Sequence, residues 1–469
     1  MFVGREKELQ NFNQLYRTNK FQFLVIYGRR RVGKTALINE FVKGKETIFF
    51  TGLETNSKQN LENFSKSVFS YISGFSSASS FDSAPVFQNF QEALEYVFIL
   101  SQNKRIILVI DEYPYVAKSC EGFASILQVL IDKYKDISKL FLIICGSSMS
   151  FMEEQVLGYK SPLYGRRTAQ FKILPFDFFE SCKCFKNFSK SDMAIIYGIA
   201  GGTPHYLLQM DDNLSVEENI KSTFLNPNSY LFEEPGNLLK QEVREPAIYN
   251  AIISAIATGS TKLSDIANKA GVDTSLCSVY LKNLISLGII KKETPITEKS
   301  TRKTIYSIAD NMFRFWYRFV PTNMSIIQNG MIDLAYKNIS ENLSSYMGSV
   351  FEDICRQYLW HLNRQGKVAT TFMDLGRWWG GDPESKSEVE IDILAIGIKN
   401  SAIFGECKWT NENVDSTVLE TLIKRSRLFP FEKKYYYLFA KNGFTSACKE
   451  KAKELGNVQL VTYDEMFPQ

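Results

Sequence analysis

Three groups of residues carry types and spacings that can do chemistry. The first is residues 28–35, Gly-Arg-Arg-Arg-Val-Gly-Lys-Thr. They fit G-x-x-x-x-G-K-[ST], a loop whose backbone N–H groups cradle phosphates. Gly28 and Gly33 permit the tight turn, Lys34 neutralises phosphate charge, and the Thr35 hydroxyl suits Mg²⁺. Arg29, Arg30, Arg31 and Val32 complete the loop. The second group is Asp111-Glu112, closing the apolar run 106–110. Asp111 is expected to reach the metal, directly or through water, and Glu112 to orient or deprotonate an attacking water. The third is Asp392 followed by Glu406-Cys407-Lys408. Two carboxylates and an amine can hold a divalent cation and orient water against a phosphodiester.

These residues need elements to hold them. Residues 23–27, Phe-Leu-Val-Ile-Tyr, and 36–41, Ala-Leu-Ile-Asn-Glu-Phe, give the first loop a strand before it and a helix after it. The helix adds the positive end of its dipole. The continuous apolar runs 106–110 and 140–145 suit parallel strands buried on both faces. Residues 388–395 instead alternate polar and apolar. A period of two sets Glu388, Glu390 and Asp392 on one face and Val389, Ile391 and Ile393 on the other. Glu406 and Lys408 share a face in the returning strand, so a hairpin brings Asp392, Glu406 and Lys408 to one metal. A helix over 348–359 precedes this hairpin. Helix 418–428, strand 435–440, helix 445–455 and strand 458–461 follow it.

Between these sites, helices over 247–258, 261–270 and 275–287 lead into a hairpin through 289–292 and 302–308, the pattern of a winged helix-turn-helix. Val279, Leu281, Leu284 and Leu287 are expected inward. Ser275, Ser278, Lys282 and Asn283 then face DNA, and Lys291, Lys292, Arg302 and Lys303 lie along the wing toward phosphates. The same pattern permits a protein partner. Residues 247–320 hold ten basic and five acidic residues in a chain whose net charge is +4. The aromatic stripe 312–320 alternates with Arg314 and Arg318, and reads as a packed linker helix more than a base-stacking platform.

A length of 469 residues implies several domains. The boundaries expected are 1–175 for the nucleotide-binding core, 176–235 for a helical lid, 236–320 for the winged helix and 321–469 for the C-terminal domain. Apolar content of 45% and charged content of 23% are those of an ordinary globular protein. The first residues are charged at once, and no apolar run approaches a membrane span. Eight scattered cysteines with two histidines, His205 and His361, argue against zinc and for free thiols in a reducing cytoplasm.

The order of 28–35, Asp111-Glu112, Gly146-Ser147-Ser148, Gly165-Arg166-Arg167 and Gly201-Gly202-Thr203-Pro204 resembles the archaeal-type ATPases, a branch of the STAND/AAA+-like P-loop proteins. The opening Val3-Gly4-Arg5-Glu6 resembles the box that lies near adenine in such proteins. The resemblance implies an α/β multidomain chain: a P-loop parallel sheet, a helical lid with Pro204 near the adenine, and ATP with Mg²⁺ as cofactors. Ser147 or Ser148 then senses the γ-phosphate. Arg166 or Arg167 either reaches a neighbour's γ-phosphate or pairs with an acid of its own domain. Members often end in a restriction-endonuclease-like domain. The PD-(D/E)XK motif carries over onto Asp392, Glu406 and Lys408, with Ile391 in place of the usual proline, and Glu352 matches the acid of that fold's first helix. Glu352, Asp392 and Glu406 would then share Mg²⁺. The implied activity is ATP-driven action on DNA with metal-dependent cleavage, with DNA as partner and a homo-oligomer as the assembly the resemblance allows. The alternative is an ATP-controlled regulatory switch with an inactive nuclease-like scaffold.

Overall fold

The computed structural model describes residues 2–73, 85–298 and 303–467. The chain forms two compact units, one of Met1–Pro175 with Thr203–His205, the other of Phe176–Gly202 with Tyr206–Gln469.

The first unit is built on β1 (Gln22–Tyr27), β2 (Thr47–Thr51), β3 (Ile107–Asp111), β4 (Phe141–Gly146) and β5 (Ala169–Lys172). They run in the order β2-β3-β4-β1-β5, all parallel. β1, β3 and β4 are buried at every residue, which is why their sequences are apolar without alternation. The helix Lys34–Val42 packs Leu37, Ile38 and Phe41 onto Leu24, Ile26 and Val109. Because all strands are parallel, the loops after β1, β3 and β4 emerge at one edge of the sheet.

The second unit starts with helical segments. The boundary expected between 235 and 236 falls inside one helix, Tyr230–Glu242, which carries Pro235 and Gly236. Proline removes a single donor there, and the buried Leu231, Pro235, Leu238 and Leu239 hold the helix through that gap. Helices Pro246–Ala257, Leu263–Ala270 and Thr274–Ser286 follow, then the antiparallel pair β6 (Ile290–Glu293) and β7 (Ile305–Ile308). The third helix buries Cys277, Tyr280, Leu281 and Leu284, whereas Val279 is 55% exposed, contrary to its expected inward position. Tyr280 takes the place expected for it, packing edge-on against Tyr249. The aromatic stripe is the helix Asn311–Phe319, with Phe313, Phe315, Tyr317 and Phe319 buried. It is a packing element and offers no stacking platform.

A single helix of 33 residues, Ile332–Arg364, replaces the short one expected over 348–359. It covers a sheet of β8 (Phe372–Asp382), β9 (Ser387–Gly397), β10 (Ser401–Lys408), β11 (Lys433–Ala440) and β12 (Val458–Thr462), ordered β12-β11-β10-β9-β8. β8 to β10 form an antiparallel meander, and β10, β11 and β12 are parallel. Helix Ser416–Ser426 covers the other face. The register between β8 and β9 jumps from Gly376↔Leu394 to Trp378↔Ile391. β9 therefore spends one extra residue, a bulge at Asp392–Ile393. Ile391 and Leu394 consequently share one core, so the alternation predicted to run unbroken through Asp392 stops there.

Among the described residues no helix is long and apolar enough to cross a membrane. The eight cysteines are free.

Candidate functional site

The loop after β1 turns into its helix at Gly33, whose φ of 86° is left-handed. Gly28 is needed for close approach, since a Cβ there would run into the carbonyl oxygen of Ile173. Arg31 also takes a left-handed φ, 73°, which a side-chain-bearing residue adopts at a cost. Lys34 is 7% exposed and donates to the carbonyls of Gly28 and Arg29, both at 2.9 Å. Its ammonium thus lies in the concavity where a phosphate belongs. Val32 is buried, Arg29 donates to Thr203 Oγ1 at 2.5 Å, and Arg30 donates to Tyr115 Oη at 3.2 Å. Pro204 Cγ stands 3.7 Å from where a Gly33 Cβ would be, and the His205 N–H reaches the Arg31 carbonyl at 3.4 Å. Residues 203–205 therefore cap the loop. Burial and the Arg31 guanidinium hold His205 below its ordinary pKa. Arg5, buried, donates to the carbonyls of Val32 at 3.1 Å and Leu174 at 2.5 Å. The Val-Gly-Arg-Glu wording marked this segment, but not that Arg5 braces the loop from behind.

The acids meet the loop directly. Thr35 Oγ1 donates to Asp111 Oδ2 at 2.8 Å, and the Glu112 N–H donates to Asp111 Oδ1 at 3.0 Å. Asp111 is 4% exposed, with no ion pair to it among the described residues. A buried carboxylate beside a threonine hydroxyl is a hard-oxygen pair that fits Mg²⁺. Glu112 begins the helix Tyr113–Ser119 with a left-handed φ of 49°. Ser147 Oγ lies 3.1 and 3.0 Å from its two carboxylate oxygens. Of the two serines expected near this edge, Ser147 is thus the one in contact with Glu112. Ser148 is half-buried just beyond it. Of the two arginines, Arg166 is held by Asp132 at 2.6 Å within its own domain. Arg167 lies over the Tyr164 ring at 5.7 Å, near enough to Tyr27 to oppose the rise that burial and Glu153 impose on that phenol.

In the second unit, Ser275, Ser278, Lys282 and Asn283 are exposed on the third helix together with Leu276 and Val279. Lys292 and Lys303 are exposed on the hairpin, Lys303 pairing with Glu298 at 2.8 Å. Lys291 differs from its expected outward position. It is half-buried, pairing with Glu293 at 3.2 Å and Asp353 at 3.3 Å. Its alternate direction along β6 turns it toward the long helix. Arg302 lies outside the described residues.

The carboxylates of the C-terminal sheet gather as a like-charged group. Asp392 Oδ2 accepts the Cys407 N–H at 2.9 Å, setting Asp392 beside the carboxyl end of β10. Lys408 Nζ reaches Glu406 Oε1 at 2.7 Å. Glu352 approaches from the long helix. Burial, then Asp392, pushes Glu352 up to about 7. Burial also raises Asp392, and burial with Asp392 raises Glu406. Burial draws the Lys408 ammonium down, but Glu406 leaves it net above its usual value. A donor set of carboxylates that repel one another fits a hard divalent cation. The expected convergence of Glu352, Asp392 and Glu406 is nevertheless not preformed. Among the described residues no three acid, His or Cys side chains stand together as a metal cluster. The reason is visible in the cations. Arg356 and Arg377 flank Glu352 at 3.5 and 3.6 Å, and Arg425 lies 3.6 Å from Glu406. Sequence spacing had no means of finding these arginines, which arrive from three separate elements.

A family model described as an ATPase domain predominantly from Archaea matches residues 2–210. A second, described as archaeal and bacterial proteins of unknown function, matches residues 316–419. An uncharacterized protein of Methanocaldococcus jannaschii is 33% identical over 471 residues, covering 99% of this chain and 100% of that one. An uncharacterized ATP-binding protein of the same organism is 46% identical over 46 residues, 10% of this chain and 78% of its own. Among solved structures, a Walker-type ATPase of Pyrococcus abyssi aligns with a TM-score of 0.51 at 19% identity, over 68% of this chain and 96% of that one, a likeness of fold.

Proposed function

Because the chain belongs to the family of the full-length Methanocaldococcus jannaschii relative and carries the predominantly archaeal ATPase domain, we propose that it is an ATPase that acts on DNA and cuts it through its C-terminal sheet. ATP binding is the established part of this reading. The observation that carries the hydrolytic part is the 2.8 Å contact between Thr35 and Asp111, with Glu112 next in sequence. Lys34 and the N–H groups of residues 28–35 hold the phosphates, Thr35 and Asp111 hold Mg²⁺, and Pro204 closes over the loop. Magnesium supplies charge neutralisation at the transferring phosphoryl group. Glu112 orients the attacking water, and Ser147 fixes the direction of that carboxylate.

DNA contact falls to a winged helix, residues 246–308, through Ser275, Ser278 and Lys282, with Lys292 and Lys303 along the wing. The C-terminal sheet, a restriction-endonuclease-like domain in this reading, supplies Asp392, Glu406 and Lys408, with Glu352 opposite. The test is cleavage of plasmid and linear DNA with Mg²⁺ or Mn²⁺, with and without ATP. Cutting that vanishes in Asp392→Asn and Glu406→Gln supports the reading, and any dependence on ATP reports gating. The arginines and lysine already pairing Glu352 and Glu406 favour a second reading, an ATP-controlled switch whose nuclease-like domain is a scaffold. Intact ATPase activity with no cutting under any condition selects it.

A further inference from the structure

Beside the carboxylates, the second unit holds a half-open cavity of about 360 Å³. Five cationic side chains line it: Lys291 from β6, Arg314 and Arg318 from the aromatic helix, Arg356 from the long helix and Arg377 from β8. Only two acids join them, Glu352 and Asp353. Asp353 alone sits among three of the cations, with Arg356 at 2.7 Å, Arg314 at 3.2 Å and Lys291 at 3.3 Å. Against the cost of burial, those cations hold its carboxyl well below the usual range. The guanidiniums are also positioned from behind. Arg314 donates to the Ile308 carbonyl at 3.1 and 2.8 Å, and Arg356 to the Asp392 carbonyl at 3.0 Å. One wall is apolar, formed by Ile256, Ala257 and the buried ring of Tyr306.

Planar guanidiniums gathered at a concavity are the protein's means of holding phosphate oxygens in pairs. The volume lies at the lower end of the range for small-ligand sites, room for more than a lone phosphate. We propose that this cavity binds a nucleotide through its phosphate, the apolar wall taking the sugar or base, either as a free nucleotide or as one unit of a nucleic-acid strand. Arg356 and Arg377 belong to both the cavity and the surroundings of Glu352, so a strand phosphate held here lies next to the carboxylates. The strand form rests on the DNA reading above, whereas the free-nucleotide form does not.

The test uses the full chain carrying Lys34→Ala, which silences the loop after β1. A short fluorescein-labelled DNA duplex and AMP are titrated separately, before and after adding Lys291→Gln with Arg318→Ala. Arg318 is exposed, so Arg318→Ala alone should leave the melting temperature unchanged. Glutamine at 291 is one atom shorter than lysine and gives up the pairs with Glu293 and Asp353, so Arg318→Ala alone carries the test if the double substitution melts lower. Loss of duplex affinity on the order of tenfold, with a shallower salt dependence and no AMP binding, assigns the cavity to a strand phosphate. AMP binding that the added substitutions abolish assigns it to a free nucleotide. Unchanged duplex affinity together with unchanged or absent AMP binding overturns the proposal. Lys282→Ala with Lys292→Ala serves as the separate control. If that pair weakens duplex binding while the cavity substitutions do not, DNA contact by the winged helix stands and the strand form of the cavity assignment falls.

Discussion

Replacing Glu352 with Gln should stabilise the second unit at alkaline pH. The Glu352 side chain is 18% exposed, and burial with the neighbouring Asp392 pushes its pKa from 4.5 up to about 7. The folded chain therefore keeps a proton that the unfolded chain releases across that interval. Wild-type stability must fall as pH rises through the same window. A difference of that size corresponds to about 3 kcal/mol once both states are ionised. Arg356 and Arg377 are already part of that balance, since they oppose the rise. Gln keeps the shape of the side chain and carries no charge to bury. The variant should thus gain about 3 kcal/mol over wild type near pH 8, shrinking below about 1 kcal/mol near pH 5. Denaturant unfolding read by tryptophan fluorescence is the assay, because all five tryptophans (316, 360, 378, 379 and 409) lie in the second unit. Magnesium should narrow the gap at pH 8 by supplying wild type with the counter-charge. Equal or lower stability of the variant at high pH, or a gap that ignores pH, would refute a shared buried charge at this cluster.

Three further outcomes are expected in the first unit. Glu112→Gln should leave ATP affinity intact and slow hydrolysis on the order of a hundredfold, read by nucleotide binding and single-turnover hydrolysis; equal turnover removes Glu112 from the chemistry. Ser147→Ala frees both Glu112 oxygens and should lower kcat on the order of tenfold with ATP Kd unchanged; a change confined to Kd would assign the serine to binding instead. Gly28→Ala drives a methyl group onto the Ile173 carbonyl and should cost about 1–3 kcal/mol of stability, seen as a lower Tm. An unchanged Tm would mean that β5 can retreat.

What could be read from the sequence depended on how far apart the interacting residues lie. The loop at 28–35 was legible because its whole mechanism sits in eight consecutive residues, between a buried strand and a helix. The first half of β9 was legible from alternation, and β10 as the strand that returns from it. β8 was not, since Gly376, the adjacent Trp378 and Trp379, and Gly380-Gly381 carry no periodicity and its pairing is decided by β9. The side chains that qualify the carboxylate site, Arg356, Arg377 and Arg425, come from the long helix, β8 and the helix Ser416–Ser426. No spacing rule links them. Val279 was misjudged for a related reason. Leucine-like residues at near-helical spacing suggested a face, but the aromatic partner Tyr249 chose Tyr280.

The bulge at Asp392–Ile393 makes this part of the chain tolerant of some changes and intolerant of others. Exchanging Ile393 for another aliphatic residue alters a volume. Deleting it would alter parity. With one residue fewer, either Leu394 and its successors would swap sides of the sheet, or Asp392 would move off the Cys407 N–H that now holds it. Neither arrangement keeps both the core and the carboxylate where they stand. Drift in this strand should therefore proceed by replacement at constant length, and insertions or deletions should collect in the turns on either side.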